Sequence, residues 1–123
     1  MTIVFVMCRF EDQGRAAAQM LAESVGWSCF DSSLPDLADE SRGPAWAQLA
    51  DTIVSSQRNL IVATPMLSHG ELQSLRAQQV LSVWIKHDFE AHRPPNPGTL
   101  LIDGTMPITA IVSTIRAVLQ LAR

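Results

Sequence analysis

Cys8 ends an apolar run, and the short polar segment that follows it carries Glu11, Asp12 and Arg15. A cysteine thiolate can accept a phosphoryl group where backbone N–H groups and an arginine surround it. Known sites of this kind place the arginine one residue closer to the cysteine than Arg15 is to Cys8, and the two acids would repel a phosphoryl group. A phosphocysteine carrier or phosphatase is therefore disfavoured, and the alternative interpretation of Cys8 is a small, buried apolar residue.

A second group of chemically capable residues lies further along the chain. His87 and His92 flank Asp88 and Glu90, and the third histidine is His69. Imidazole and carboxylate groups bind metals, but this spacing matches no zinc pattern. We therefore expect a solvated turn and no metal site.

Composition is that of an ordinary folded domain. The chain has 123 residues, of which 47% are hydrophobic and 17% charged, and its formal net charge is -3. This length suits one domain over residues 1–123, and the mild acidity disfavours nucleic-acid and membrane-surface binding. Two cysteines are too few for a disulfide scaffold. Because the start lacks a signal-peptide pattern and no apolar stretch could span a bilayer, we expect a cytoplasmic protein.

Apolar runs and turn signals predict strands and helices that alternate along the chain. The predicted strands are residues 2–8, 27–31, 59–63, 80–85 and 100–102. The predicted helices are residues 14–25, residues 44–57, a short helix capped by Ser68, and a C-terminal helix behind Pro107. Residues 32–43 are predicted to form a loop. The alternation predicts a parallel sheet covered on both faces, with any site at the carboxyl ends of the strands.

Six short segments of the sequence are informative together: residues 6–7, 22–27, 30–31, 37–42 with Trp46, 94–97 and 100–103. These segments resemble the P-loop kinases that act on small molecules, namely gluconate kinase, shikimate kinase and adenylylsulfate kinase. The fourth is similar to gluconate kinases and the last two to adenylylsulfate kinases. The resemblance implies a three-layer α/β/α fold with a five-stranded parallel sheet in the order 2-3-1-4-5.

The phosphate-binding loop of these kinases is the part that the chain lacks. The family motif G-x-x-x-x-G-K-[ST] wraps backbone N–H groups around the phosphates, its lysine reaches them, and its hydroxyl binds magnesium. In the aligned register its defining positions are Cys8, Gln13, Gly14 and Arg15. Because the lysine and the hydroxyl supply much of the stabilisation of the transition state, we expect neither kinase activity nor a cofactor.

Glu11 and Asp12 place two negative charges where the phosphates of a nucleotide would lie. At about 4 Å and an effective dielectric of about 20, each like-charge pair costs on the order of 4 kcal/mol. We predict that Asp12 caps a helix that starts at Gln13, its carboxylate accepting the N–H groups that bind phosphate in the family. The alternative is two solvated loop acids.

The resemblance also implies a lid that supplies arginines and an aspartate that serves the substrate. Residues 87–93 are too short for that lid, although Arg93 could imitate one of its arginines. Asp31 matches the aspartate after the second strand, whereas Ser32 and Ser33 replace the positions that follow it. The capacity for general-base catalysis is therefore doubtful.

Four residues are candidates for binding a ligand, because they are expected near the carboxyl ends of the strands. They are Arg15, Asp31, Arg42 and Thr64. The alternative interpretation is surface charge, with Arg15 paired to one of the acids beside it.

The leading functional hypothesis is a non-catalytic relative of the small-molecule kinases that acts through binding to another protein or to itself, as a regulatory module. The alternative is a phosphotransferase, or a nucleotide-binding or anion-binding protein, whose phosphate site is rebuilt from Arg15 and Arg42. A small-molecule ligand is compatible with either. If Trp84 is exposed, it marks the surface for a partner.

Overall fold

A computed structural model of the protein describes residues 2–31, 39–64, 69–75, 79–87 and 98–121, with the backbone alone at residues 39–42 and 69. The strands are β1 (Thr2–Cys8), β2 (Ser28–Asp31), β3 (Leu60–Thr64), β4 (Gln79–Lys86) and β5 (Leu100–Asp103). The helices are α1 (Glu11–Val25), α2 (Asp39–Ser56), α3 (His69–Gln73) and α4 (Ile108–Leu121).

The five strands form one parallel sheet in the order β2-β3-β1-β4-β5, which is the predicted order. β1 lies at the centre and pairs with a strand at each edge, and helices on the two sides of the sheet bury both of its faces. Val4, Val6 and Cys8 belong to the core that the sheet shares with α1 and α4. Ile3, Phe5 and Met7 belong to the opposite core, under α2 and the end of α3. The fold is therefore the predicted three-layer α/β/α arrangement.

The helix of the C-terminal region and the end of α1 follow the sequence pattern closely. Ile111, Val112, Ile115 and Leu119 are buried, so the predicted apolar stripe of α4 faces the sheet. Gly26 ends α1 in the left-handed conformation with φ of 75°, as expected for a residue without a side chain.

The start of α2 differs from the prediction. The helix begins at Asp39 rather than at Pro44, so Pro44 lies inside it and residues 39–43 are not part of a loop. Proline was expected at the first helical turn because it has no N–H to donate. Here Pro44 is the sixth residue of the helix, and because it has no N–H it cannot donate to the carbonyl of residue 40.

The predicted cap of α1 is wrong. The helix begins at Glu11 and its N-cap residue is Phe10, with no hydrogen bond from a capping side chain. Asp12 therefore lies within the first turn, where its negative charge still interacts favourably with the positive end of the helix dipole. The helix starts earlier than predicted because the chain turns directly after β1.

Candidate functional site at the carboxyl edge of the sheet

The junction between β1 and α1 is too short to surround a phosphate. β1 ends at Cys8 and α1 begins at Glu11, so only Arg9 and Phe10 connect them. The N–H of Gly14 donates to the carbonyl of Phe10 over 3.1 Å, as in any first helical turn. The chain positions that align with the end of the phosphate loop are thus helical, and this N–H is already used inside the protein.

Gly14 allows α1 to approach β1 closely. A Cβ atom at Gly14 would lie 2.9 Å from the Cβ of Cys8, a distance that real Cβ atoms do not tolerate. The Cys8 side chain is itself buried, with 3% of its surface exposed. The absence of a side chain at residue 14 therefore has a packing cause, because the family's lysine would not fit here without movement of β1.

The Gln13 side chain bridges the ends of three strands. Its Nε2 donates to the carbonyl oxygen of Gly104 over 2.7 Å, and its Oε1 lies 2.7 Å from His87 Nε2. The Cys8 thiol donates to the same Oε1 over 3.7 Å. Because an amide oxygen only accepts hydrogen bonds, His87 Nε2 carries a proton in this arrangement. We call Cys8, Gln13, His87 and Gly104 the Gln13 cluster.

The Gln13 cluster is closely packed around Gly104. A Cβ atom at Gly104 would lie 2.6 Å from the His87 ring and 2.9 Å from the Lys86 carbonyl oxygen. The Gly104 N–H donates to that same carbonyl over 2.6 Å. On the outer side, the rings of Phe10 and His87 meet edge to face with centroids 4.7 Å apart. Side chains of the protein therefore fill the space between β1, β4 and β5.

Two of the three charged residues predicted to bind a ligand, Arg15 and Asp31, are paired with each other. Arg15 donates from Nε and Nη2 to the same oxygen of Asp31, over 3.0 and 2.8 Å. Its Nη1 also lies 3.9 Å from an Asp12 oxygen. Both side chains of the Arg15–Asp31 pair are partly exposed, with 44% and 40% of their surfaces accessible. The bridge connects the start of α1 to the end of β2.

Thr64 lies in a row of three residues across the sheet. Met7 of β1 pairs in register with Thr64 of β3 on one side and with Trp84 of β4 on the other. Both flanking residues are buried, with 5% and 4% of their surfaces exposed. Thr64 Oγ1 and Trp84 Nε1 are the buried side-chain polar atoms without a hydrogen-bond partner in the described part of the chain. The condition set for Trp84 as a partner surface is not met, because its side chain is covered.

Asp103 ends β5 beside the Gln13 cluster. Its carboxylate accepts hydrogen bonds from the backbone N–H of Thr105 over 2.9 Å and from the Thr105 hydroxyl over 2.7 Å. These bonds, the backbone one foremost, lower the pKa of Asp103, and the positive charges of His87 and Lys86 act in the same direction. This carboxylate remains ionised at neutral pH and faces solvent.

Some of the predicted site residues lie outside the described part of the chain. These are the Arg42 side chain, Ser32, Ser33, Ser68, the His69 side chain, Arg93, and Asp88, Glu90 and His92. Glu11 is described and is exposed in the first turn of α1. Within the described residues, no group of three or more His, Cys, Asp or Glu side chains could hold a metal ion. None of the described helices has the length and apolar character needed to cross a membrane.

Sequence reasoning missed the role of Gln13 and, with it, those of His87 and Gly104. The available signal was position, because His87 directly follows β4 and Gly104 directly follows β5. Polar residues at the carboxyl ends of adjacent parallel strands meet at one edge. The pairing of Gln13 with them depends on where α1 begins, which the sequence pattern placed too late.

Neither of two comparisons by sequence gives a match, whereas comparison by structure gives several solved structures with a similar fold. No protein-family model matches the sequence, and no curated protein matches it. A sugar kinase from Janibacter sp. HTCC2649 has a similar structure, with a TM-score of 0.76 and 16% identity over 98% of this chain and 95% of that one. A gluconokinase from Sinorhizobium meliloti 1021 gives a TM-score of 0.71 and 16% identity over 91% and 87% of the two chains.

A shikimate kinase from Aquifex aeolicus vf5 is similar as well, with a TM-score of 0.69 and 14% identity over 98% of this chain and 96% of that one. The resemblance in sequence segments to gluconate and shikimate kinases is thus matched by the fold. At these identities the likeness establishes the α/β fold of the P-loop kinases.

Proposed function

We propose that this chain is a non-catalytic domain with the P-loop kinase fold that acts through protein binding, as a regulatory module. The observation that carries the proposal is the start of α1 at Glu11, two residues after β1. A phosphate loop needs backbone N–H groups that point into an open turn. Here the corresponding residues are helical and the Gln13 side chain occupies the adjoining space.

Electrostatics argue in the same direction. Glu11 and Asp12 lie in the first turn of α1, where the N–H groups would face an anion. Their carboxylates would repel a phosphate bound there, and the repulsion is screened because both side chains are exposed to solvent. No lysine replaces the lost one at this end of the helix, because residue 14 is the glycine packed against Cys8. Phosphoryl transfer would lack its principal sources of charge stabilisation.

The competing function is nucleotide or anion binding through a rebuilt phosphate site. It requires Arg15 to point at the ligand, whereas its guanidinium is bound to Asp31 by two hydrogen bonds. A ligand would have to displace that carboxylate. A phosphocysteine function at Cys8 meets a similar obstacle, since its thiol is buried and donates to Gln13.

Calorimetric titration with magnesium ATP tests the proposal. We expect no binding by the natural protein at micromolar or submillimolar concentrations. The Asp31→Asn variant releases Arg15 and separates the two functions: it should remain inert if the proposal holds, and it should bind phosphate if Arg15 is a latent anion site. Micromolar binding by the natural protein would overturn the proposal.

A rebuilt phosphate loop serves as the positive control for the fold. It combines Cys8→Gly, Glu11→Gly, Gln13→Gly, Gly14→Lys and Arg15→Ser, and the first change removes the Cβ atom that a side chain at residue 14 would meet. Gain of ATP binding by this variant, with none in the natural protein, would locate the loss of function in this segment.

A further inference from the structure

The amino edge of the sheet, opposite the candidate site, carries two adjoining cavities that share Trp27. One has a volume of about 480 Å³ and lies between Trp27 and Arg58. The other has a volume of about 220 Å³ and lies between Ser24, Arg116 and Leu119. We call these five residues the Trp27 groove. It follows from the fold, because the loop after α2 and the ends of α1 and α4 all come to this edge.

The groove offers an aromatic side chain and two cationic ones. Trp27 is only partly buried, in contrast to Trp46 and Trp84, which are covered. The described ion pairs are formed by Arg15, and none is formed by Arg58 or Arg116 within the described residues. Arg116 donates instead to the Ser24 hydroxyl over 2.8 Å. In a chain whose formal net charge is -3, two cations without an acidic partner among the described residues line cavities that share Trp27.

We infer that the Trp27 groove binds an acidic segment of a partner protein, in which an apolar or aromatic residue between acids packs against Trp27. The inference rests on the proposed function and names its binding surface. Charge complementarity selects the acids, because Arg58 and Arg116 line different cavities and can each pair with one carboxylate. Two adjoining cavities that share Trp27 suit an extended chain, which can place successive side chains in them, better than one compact small molecule.

The arginines also have a simpler possible role. Arg58 follows the end of α2, where a cation compensates the partial negative charge of the helix carboxyl end, and Arg116 bonds α4 to the end of α1 through Ser24. That role predicts a change in stability when they are replaced, but no change in the binding of any peptide. The experiment therefore needs a binding readout and a stability readout on the same variants.

The probe is a displayed library of short random peptides, followed by synthetic copies of the selected sequences. We expect selected peptides to combine acidic residues with an apolar or aromatic one. Binding should protect Trp27 from acrylamide quenching, since it is the partly exposed tryptophan. Arg58→Glu combined with Arg116→Glu should weaken binding by at least about tenfold, and affinity should fall between about 50 and 300 mM salt.

The control is Arg9→Glu, which matches each of the two charge reversals at the other edge of the sheet and should leave peptide affinity within about twofold. Arg58→Gln with Arg116→Gln is the variant of choice if the double reversal fails to fold, and it should also lose most of the affinity. The inference is overturned if selected peptides lack acids, if binding survives both double variants, or if Trp27 stays open to quenching.

Two further outcomes would also reject it. A dimer in light scattering that dissociates in the double variants would make a second copy of this chain the occupant. A loss of stability without any change in peptide affinity would leave only the helix-end role. Magnesium ATP does not enter this assay, so failure to bind an acidic peptide would leave the proposed non-catalytic role standing. Binding of ATP in the calorimetric titration would reject the non-catalytic role and would say nothing about peptide binding by the Trp27 groove.

Discussion

The two edges of the sheet differ in how their polar groups are satisfied. At the carboxyl edge, the Gln13 cluster and the Arg15–Asp31 pair are bonded within the protein. At the amino edge, the Trp27 groove is open, and its two arginines make no ion pair in the described residues. In open α/β sheets the carboxyl edge is the usual place for a ligand. Here the Gln13 cluster and the Arg15–Asp31 pair are bonded internally, while Thr64 Oγ1 and Trp84 Nε1 are buried without a described partner. The described residues therefore direct the search for a surface with exposed, unpaired charges to the opposite edge.

The largest effect is expected for Gly104→Ala, because its Cβ atom would lie 2.6 Å from the His87 ring and 2.9 Å from a backbone oxygen. A backbone atom cannot move aside as a flexible side chain can. We expect a loss of about 2–3 kcal/mol in the free energy of unfolding, measured by urea denaturation.

Gly43→Ala is the matched control for that substitution. Gly43 lies in α2 directly before Pro44, and apart from its chain neighbours and the backbone of its own helix no atom stands within 4 Å of an added Cβ. It should change stability by less than about 1 kcal/mol, because the better helix propensity of alanine is opposed by the steric restriction on a residue before proline. Equal effects of the two substitutions would contradict the close packing of the carboxyl edge.

Gln13→Ala should produce the next largest loss. The substitution removes the donor to the Gly104 carbonyl and the acceptor for His87, and it leaves both groups partly buried. Stability should fall by about 1–3 kcal/mol in urea denaturation. Arg58→Ala at the amino edge is the comparison, and it should change stability by no more than about 0.5 kcal/mol. If the two variants were equally stable, the edges would not differ as described.

The sequence predicted the sheet almost completely, because each buried strand and each amphipathic helix has its own local pattern of apolar residues. The apolar run from Thr2 to Cys8 and the stripe of α4 are such patterns. The start of α1 was not predictable in the same way. It depends on a contact between Gly14 and Cys8, and the spacing of apolar residues within one element does not indicate how closely a helix approaches a strand.

For the candidate site, the sequence predicted which residues lie at the ends of strands and helices, but not how their side chains pair. Asp31 and Arg15 were identified by position at strand and helix ends, but their pairing depends on how α1 lies beside β2. The Gln13 cluster joins residues that are far apart in the sequence, so only the tertiary structure reveals it. Thr64 was expected near the edge and lies there, buried beside Met7.

A smaller effect should distinguish the buried hydroxyl of Thr64, which ends β3 at the carboxyl edge, from that of Thr99, which directly precedes β5. Thr64 Oγ1 has no described partner, whereas Thr99 Oγ1 lies 2.9 Å from the Ser82 hydroxyl. Thr64→Val should therefore raise stability by about 1 kcal/mol, while Thr99→Val should lower it by a similar amount. Thermal or urea unfolding measures both. A loss of stability in Thr64→Val would mean that its hydroxyl has a partner after all, and would reopen Thr64 as a ligand-binding residue.

The smallest effect concerns the pH dependence at Asp103. Hydrogen bonds from Thr105 lower the pKa of this carboxyl in the folded protein. A depressed folded pKa stabilises the protein above the unfolded value of about 3.9, and the contribution is lost as pH falls through the folded pKa. Asp103→Asn should flatten the dependence of the urea midpoint on pH between about 5 and 2.5, and Thr105→Val should flatten it less because the backbone donor remains. If both variants kept the natural slope, the acid sensitivity of this edge would lie elsewhere than in the Asp103 turn.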